Sequence, residues 1–286
     1  MKSSWGLVML AVVAMTGCQR GPQFPPLGEP GVSRHGAVVW RDLVTPDPAA
    51  AMEFYGELFG WTFEPLGDTG YVLALLDGQP VAGILDAQRT GRPVRSALWL
   101  QAISVPDVRD AARAVVKAGG TIHYKPSMLA GRGRVAVVED AEGALFQLVT
   151  SSSGDPAVRE PAQNNWLWAE LLAGDTERAA TFYQAVFGYE VVAGGEGDPS
   201  YRTLRAGDEA QAAILANPFE DTRSAWIPFV RVDDVAATLA RCEAKGGRVV
   251  VAPDPARRRG SLALVLDPSG APLAVQTWNP ETTGGR

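Results

Sequence analysis

Residues 40–61 read WRDLVTPDPAAAMEFYGELFGW, and this stretch decides the fold. An apolar run over residues 37–43 predicts a strand, and a turn then leads into a helix. Pro46 and Asp47 suit a helix start, because proline fixes φ and aspartate caps free amides. Gly60 predicts the helix end, since glycine readily adopts a left-handed conformation. The apolar residues between them have the spacing of one helical face: Ala51, Phe54, Tyr55 and Leu58.

The stretch occurs twice. Its landmarks recur 128 positions later (168 − 40): Trp40, Asp47, Phe54-Tyr55 and Phe59-Gly60-Trp61 become Trp168, Asp175, Phe182-Tyr183 and Phe187-Gly188-Tyr189. Landmarks of the following part recur at an offset of 127 (226 − 99): Trp99, Asp107, Gly119-Gly120, Pro126, Asp140 and Gly143 become Trp226, Asp234, Gly246-Gly247, Pro253, Asp267 and Gly270. One offset with a single slip indicates a duplicated domain of roughly 120 residues.

Each copy contains the same order of elements two times. The second unit has a strand, a Val-Pro-Asp turn, a helix ended by two glycines, and further strands. Each unit is therefore predicted to contain one strand, one helix and about three further strands, in that order. The expected strands of the first domain are 37–43, 70–76, 81–85, 97–104, 121–124, 134–139 and 144–149, and its second helix is 108–118.

This βαβββ order, paired within a domain, resembles the vicinal oxygen chelate superfamily, which is the glyoxalase, bleomycin-resistance and extradiol-dioxygenase group. The resemblance rests on residues 40–61 and on two endings, VEDAEGALFQL at 138–148 and VLDPSGAPLAVQ at 265–276. It covers about residues 35–152 and 164–280. It implies an α+β fold with two tandem domains. In each, a pair of modules forms a curved, cup-like mixed sheet with helices outside.

The resemblance also locates the positions that bind metal in the metal-dependent members. Those members place a His or Gln on the first strand of each module and a Glu on the last strand. The first-strand positions lie seven residues before the aspartates at the helix starts, which are Asp47, Asp107, Asp175 and Asp234. The last-strand positions lie four residues after Gly143 and Gly270. The six positions are Trp40, Leu100, Gln147, Trp168, Ile227 and Ala274. Indole and alkyl groups offer no lone pair to a cation, so we expect neither a metal nor another cofactor.

The cups still suggest ligand sites. Residues two apart on a strand share a face, so Val38 and Asp42 should accompany Trp40, and Trp166 and Glu170 should accompany Trp168. Aromatic walls with a few polar groups are typical of small-molecule sites. Asp42 or Glu170 would serve as an acceptor or a general base; alternatively, the tryptophans fill the cups and the carboxylates pair with arginines. The candidate ligand-binding residues are Trp40, Asp42, Leu100, Gln147, Trp168, Glu170, Ile227 and Gln276.

Two loops and one cysteine carry weaker signals. Arg257-Arg258-Arg259 and Gly131-Arg132-Gly133 occupy equivalent loops, and basic residues at both cup rims could hold an anion. Cys242 lies on an expected helix and is interpreted as a buried small hydrophobe rather than a nucleophile. The sequence contains no P-loop, dinucleotide fingerprint or nucleophile elbow.

The N-terminus resembles a bacterial lipoprotein signal over residues 1–18. Lys2 precedes an apolar run over residues 7–15, and small residues lead to Cys18, the expected lipidation site. The alternative is an ordinary cleaved secretory signal with an incidental cysteine. Each buried methylene of an attached acyl chain contributes about 0.8 kcal/mol to membrane binding. Gln19 follows the cysteine where inner-membrane lipoproteins often have Asp. The resemblance therefore favours the outer membrane, facing the periplasm or the cell surface.

Net charge and the positions of proline- and glycine-rich segments give the remaining predictions. A net charge of −6 without a basic cluster argues against nucleic acid as a partner. Residues 19–33 are rich in proline and glycine and read as a flexible tether. The expected layout is completed by a first domain at 34–152, a linker at 153–163, a second domain at 164–280 and a tail at 281–286.

Three functions are compatible with these features. The first is a metal-free protein at the membrane that binds a small molecule. The second is a metal-independent lyase, isomerase or hydroxylase-like enzyme that uses Asp42 or Glu170 as its base. The third is a structural lipoprotein whose cups are filled. An open cup separates the first two functions from the third.

The anchor hypothesis gives the first prediction. Cys18→Ala should move the protein from the membrane to the soluble fraction, because no lipid can be attached to alanine. Fractionation with detergent phase partitioning measures this. A Cys18→Ala protein that still partitions with lipid would contradict the lipoprotein interpretation.

Overall fold

A computed structural model of the chain describes residues 23–90, 96–194, 200–219 and 222–278. Cys18, the signal segment 1–18 and the tail 281–286 lie outside these residues. Within the described ranges, none of the helices has the length and apolar character that crossing a membrane requires.

The first domain is one mixed, eight-stranded sheet with two helices. Its strand order is β2-β3-β4-β1-β5-β8-β7-β6, so the two βαβββ modules meet where β1 pairs antiparallel with β5. Its elements are β1 (Val38–Thr45), α1 (Pro48–Phe59), β2 (Thr62–Pro65), β3 (Tyr71–Leu76), β4 (Gln79–Asp86), β5 (Leu98–Ser104), α2 (Val108–Lys117), β6 (Thr121–Leu129), β7 (Gly133–Glu139) and β8 (Leu145–Ser151).

The second domain repeats this topology, with the order β10-β11-β12-β9-β13-β16-β15-β14. The two mixed sheets with outer helices confirm the expected fold class. The elements are β9 (Trp166–Ala173), α3 (Thr176–Phe187), β10 (Glu190–Ala193), β11 (Arg202–Ala206), β12 (Glu209–Ala216), β13 (Ala225–Arg231), α4 (Val235–Ala244), β14 (Arg248–Val251), β15 (Leu262–Leu266) and β16 (Pro272–Gln276).

The repeated aspartates and glycines set the helix boundaries. The Asp47 side chain accepts a hydrogen bond from the Ala50 amide, and Asp107, Asp175 and Asp234 cap their helices in the same way. Gly60 ends α1 at a φ of 71°. The turn chemistry of the sequence therefore placed the helices correctly.

A β-bulge beside each cup tryptophan corrects the expected strand faces. The pairing register of β1 with β5 shifts between Val38 and Trp40, and β9 shifts at the equivalent place, between Trp166 and Trp168. The extra residue breaks the alternation. Trp40 keeps the face of Asp42, whereas Val38 packs in the core between the domains. Trp166 also packs in the interdomain core, where its indole Nε1 donates to the Val81 carbonyl at 2.8 Å.

The convex faces of the two sheets meet in the middle of the molecule. One buried cluster joins α1 to α4, and another joins α2 to α3. The strand residues that contribute to these clusters, such as Leu43, alternate with those of the concave face, such as Val44. The two concave faces, called the first cup and the second cup below, therefore point away from the interface.

Reciprocal hydrogen bonds cross this interface. The Tyr55 hydroxyl donates to Asp267 Oδ2 at 3.1 Å and accepts from the Trp99 indole. In the other direction, Tyr183 donates to Asp140 Oδ2 at 3.0 Å and accepts from Trp226 at 2.8 Å. Burial raises the pKa of both tyrosines well above 10, so both stay protonated donors. The repeated tyrosines and tryptophans and the Asp-x-x-Gly turns thus bind the domains together.

The N-terminal segment differs from the expected flexible tether. Residues 23–33, called the N-terminal strap below, lie against the first domain. The Phe24 amide donates to the Ala130 carbonyl at 2.8 Å, and the Leu27 amide donates to Ser153 Oγ at 3.0 Å. A Cβ at Gly28 would lie 2.0 Å from the backbone carbonyl carbon of Asp155, so only glycine permits this approach. Backbone contacts therefore fix the strap.

The interdomain bonds give a stability prediction. Tyr55→Phe should lower the free energy of unfolding by about 1–3 kcal/mol, because it leaves the buried Trp99 indole and Asp267 without a partner. Urea unfolding measures the change. Tyr124→Phe is the control, since its half-buried hydroxyl has no hydrogen bond to the described residues. Equal losses in the two variants would contradict the role of the Tyr55 bond.

Candidate functional site

Four predicted site residues, Trp40, Asp42, Leu100 and Gln147, converge in the first cup. Asp42 is 8% exposed and lies at the centre. Its Oδ1 accepts from Trp40 Nε1 at 2.8 Å and from the Tyr71 hydroxyl at 2.5 Å, and its Oδ2 accepts from Gln147 Nε2 at 2.7 Å. Leu100 forms part of the apolar wall. Three strands, β1, β3 and β8, therefore assemble one polar cluster in a largely apolar cup.

Tyr71 is a fixed proton donor in this cluster. Desolvation raises the pKa of its hydroxyl well above 10, and the negative charge of Asp42 raises it further. The positive charge of Arg132 acts in the opposite direction and is the smaller effect. Tyr71 therefore holds its proton toward Asp42 at any physiological pH.

Arg132 enters the cup from the loop between β6 and β7. Its side chain is buried, with 4% of the residue exposed, and its guanidinium carbon lies 4.3 Å from the centre of the Trp40 ring. Within the described part of the chain, its Nε and Nη2 atoms have no hydrogen-bond partner. The basic loop expected at the rim thus places a charged group inside the cup.

A cavity of about 30 Å³ lies between these groups. Asp42, Tyr71, Arg132 and Gln147 line it, and Phe24 and Leu27 of the N-terminal strap cover it. Phe24 packs edge-on against Tyr71, with the ring centres 5.0 Å apart. This volume has room for about one or two water molecules.

The second cup contains equivalent groups in a closed arrangement. Glu170 is 4% exposed and forms an ion pair with Arg258, which enters from the loop between β14 and β15. Arg258 Nη1 also donates to Gln276 Oε1 at 2.9 Å, and the Tyr201 hydroxyl donates to Glu170 at 3.4 Å. Arg258 stacks 5.2 Å from the Phe229 ring centre. Trp168 and Ile227 belong to the apolar wall beside Phe229 and Ala274.

The two cups differ in the reach of the carboxylate. Each has a first-strand acid, a tyrosine donor and a loop arginine that stacks on an aromatic ring. The longer Glu170 contacts its arginine, whereas no carboxylate oxygen of the described residues lies within 4.0 Å of Arg132. The loop arginine therefore has a carboxylate partner in the second cup, whereas in the first cup it has none within 4.0 Å among the described residues.

Sequence reasoning missed several of these residues. Tyr71 and Tyr201 could not be predicted as site residues, because nothing in the strand pattern distinguishes them from other apolar positions. Phe24 lay in a segment read as a tether. Arg132 and Arg258 had a signal, the basic residues in equivalent loops, but spacing alone could not show whether they point into the cups.

The histidines and Cys242 lie apart from the polar clusters of the cups. His123 Nε2 is 2.9 Å from Glu139 Oε2, and this hydrogen bond lowers the pKa of Glu139. His35 Nδ1 is 3.5 Å from Ser104 Oγ, which donates to Asp155. Burial raises the pKa of the Cys242 thiol to about 11, as suits a buried small hydrophobe.

The cup residues do not fit a metal ion. Of the six family ligand positions, only Gln147 carries an oxygen that could ligate, and its amide nitrogen is bound to Asp42. Among the described residues, no group of three His, Cys, Asp or Glu side chains comes together as a metal site would require. We therefore derive no chemistry through a metal.

The family model of the glyoxalase/bleomycin resistance protein/dioxygenase superfamily matches residues 37–148 and 166–275, which are the two sheets just described. The chain belongs to this superfamily.

Curated relatives match along nearly their whole length. The chain is 32% identical over 257 residues to "Putative glyoxylase CFP32" of Mycobacterium bovis, with 87% of this chain and 97% of the relative covered. It is 30% identical over 276 residues to "Anthracycline biosynthesis protein DnrV" of Streptomyces peucetius, again with 87% and 97% covered.

Solved structures share the fold of this superfamily member. A Mn(II)-bound glyoxalase from Novosphingobium aromaticivorans matches with a TM-score of 0.59 at 19% identity and covers 86% of this chain and 83% of its own. A 2,3-dioxygenase from Pseudomonas matches with a TM-score of 0.56 at 14% identity and covers 87% and 96%. At these identities, the likeness concerns the fold alone.

The donor set gives a metal prediction. The folded protein should hold far less than one equivalent of Zn, Ni, Mn or Fe after dialysis, because the cups offer too few ligands. Metal analysis of wild type, His35→Ala and His123→Ala measures this. One tightly held ion per chain that disappears with either histidine would show that a metal site lies elsewhere.

Proposed function

We propose that the protein binds a small, partly aromatic organic molecule in its first cup without a metal. The proposal includes lipidation at Cys18, which would hold the domains at the outer membrane, facing the periplasm or the cell surface. Membership in a superfamily whose cups hold small molecules supports the binding role. The N-terminal sequence alone supports the anchor.

The observation that carries the proposal is the contrast between the cups. In the second cup, Arg258 neutralises Glu170, so the polar groups satisfy one another. In the first cup, the Asp42 cluster is complete, but Arg132, which lines the cavity, has two buried nitrogen atoms without a hydrogen-bond partner among the described residues. Buried polar groups are almost always paired, which supports a ligand as the partner that the described residues do not supply.

The strap controls the space for such a partner. A cavity of about 150 Å³ is needed to hold a benzene-sized molecule, and the covered cup has about 30 Å³. Displacement of Phe24 and Leu27 would expose a wall formed by Trp40, Tyr71 and Leu100. A ring of the ligand would then pack where Phe24 packs against Tyr71.

The names of two relatives agree with a small organic ligand. One is called a putative glyoxylase and the other an anthracycline biosynthesis protein. A ring-containing ligand would suit the aromatic wall of the first cup. We extend to this chain only the general class, a small organic molecule.

An enzyme is the second candidate. The cluster places a carboxylate and a tyrosine hydroxyl 2.5 Å apart beside a cavity, which is the arrangement that proton transfer needs. However, both oxygens of Asp42 already accept hydrogen bonds, and Glu170 is bound by Arg258. A base role would require one of these bonds to break, so binding without turnover ranks first. A filled, purely structural role describes the second cup better than the first.

The two cups provide a matched test of the ligand site. Full-length protein from its own membranes should retain a small molecule that mass spectrometry identifies. Tyr71→Phe should weaken its binding by about 5- to 30-fold, because it removes one of the donors that hold the Asp42 carboxylate in place beside the cavity, and such a buried hydrogen bond contributes about 1–2 kcal/mol. Tyr201→Phe, the equivalent change in the second cup, should leave the affinity unchanged.

Other outcomes would distinguish the alternatives. Conversion of the retained molecule by wild type, but not by Asp42→Asn, would favour the enzyme. If no molecule is retained and none binds in a broad screen, while Tyr71→Phe still costs stability, the structural role would replace the binding role.

A further inference from the structure

Arg132 is a buried cation beside two aromatic rings, Trp40 and Phe24. Only 4% of the residue is exposed, and its charge has no counterion within 4.0 Å among the described residues. Removing a charged group from water is costly unless a partner compensates. Stacking on Trp40 at 4.3 Å compensates only in part, because it leaves the in-plane hydrogen atoms of the guanidinium unsatisfied. The site therefore lacks an anionic or strongly accepting group.

The unsatisfied atoms indicate the shape of that group. Nε and Nη2 form one edge of the planar guanidinium, and their two N–H bonds run nearly parallel. This edge matches the two oxygens of a carboxylate or a phosphate in a bidentate pair. The cavity of about 30 Å³ is narrow, its walls include Leu85, Leu100 and Val135, and Asp42 already carries one negative charge. A planar monoanion fits these limits better than a dianionic tetrahedral group.

We propose that the first cup recognises the carboxylate of a small organic acid, which pairs bidentately with the Nε/Nη2 edge of Arg132. The remainder of the acid, an aromatic or apolar group, takes the place of Phe24 beneath the N-terminal strap. This specificity rests on the proposed function, since it names the ligand class of the same cup.

Asp42 keeps Arg132 available for the ligand. Three donors from Trp40, Tyr71 and Gln147 fix the Asp42 carboxylate, and its side chain is one methylene shorter than that of Glu170. In the second cup, the longer acid occupies its arginine and takes the position of a ligand carboxylate. The length of one side chain thus separates a receptive cup from a self-neutralised one.

The test compares benzoate with benzamide, a neutral molecule of nearly the same shape. Isothermal titration on the full-length protein in detergent should give a Kd for benzoate at least 10-fold lower than for benzamide. Arg132→Gln should remove this preference. Arg134→Gln is the matched control, because Arg134 lies two residues further on, in β7, on the convex face with Ala136 and Val138, and its loss changes the net charge equally.

Two further variants keep the test independent of any folding defect in Arg132→Gln. Asp42→Glu should abolish the benzoate preference by placing a carboxylate on Arg132, as Glu170 does on Arg258. Gly28→Ala should raise the affinity for benzoate, because a Cβ there would displace the strap from Asp155. Gly56→Ala is its control, since a Cβ at that helical position meets its nearest neighbours at 3.4 Å.

The outcomes separate this inference from the proposed function. If benzoate and benzamide bind equally, and Tyr71→Phe weakens both, the cup binds ligands but the carboxylate specificity is wrong. If neither probe binds wild type or Gly28→Ala, both proposals are contradicted. An Arg132→Gln protein that retains the preference and the wild-type melting temperature would also overturn the assignment to Arg132.

Discussion

The two cups differ in whether their first-strand acid forms an ion pair with their loop arginine. In the second cup, Glu170 and Arg258 neutralise one another beside Gln276, so no charge remains for a ligand. In the first cup, neutral donors hold Asp42, and no carboxylate oxygen of the described residues lies within 4.0 Å of Arg132. Because an unpaired buried charge destabilises a fold, retaining one is a cost that a ligand would offset.

The residues that repeat in the two domains mainly stabilise the interface between them. Tyr55 and Tyr183 reach across the interface to the Asp-x-x-Gly turns of the opposite domain, and Trp99 and Trp226 donate to their hydroxyls. The contact occurs twice because each domain provides one tyrosine donor and one aspartate acceptor to the interface. Asp42 and Glu170, which differ between the copies, lie in the cups.

Local patterns predicted the helices and the duplication, and the resemblance to a known superfamily predicted how the strands assemble into cups. The turn aspartates cap their helices, Gly60 ends α1, and the constant offset gives two equal domains. Single-residue bulges were not visible, because an alternating pattern cannot show where one extra residue enters a strand. Hence Trp40 and Asp42 share the expected face, whereas Val38 and Trp166 lie on the other side.

The site could be predicted only in outline. Trp40, Asp42 and Gln147 were identified from their positions on strands, but Arg132 lies on a loop whose side-chain direction depends on tertiary packing. The docking of the strap depends on the close approach of Gly28 to Asp155, two residues 127 positions apart (155 − 28). No local pattern records such a contact, so the prolines and glycines of residues 23–33, which suggested a tether, belong instead to a packed segment.

The most direct test is a high-resolution crystal structure of the protein purified from its own cells without added ligand. Density from a bound molecule should lie against the Nε/Nη2 edge of Arg132, while Arg258 remains paired with Glu170. An empty first cup in which Arg132 has turned to bind Asp42, or a molecule bound between Arg258 and Glu170 instead, would contradict the difference between the cups.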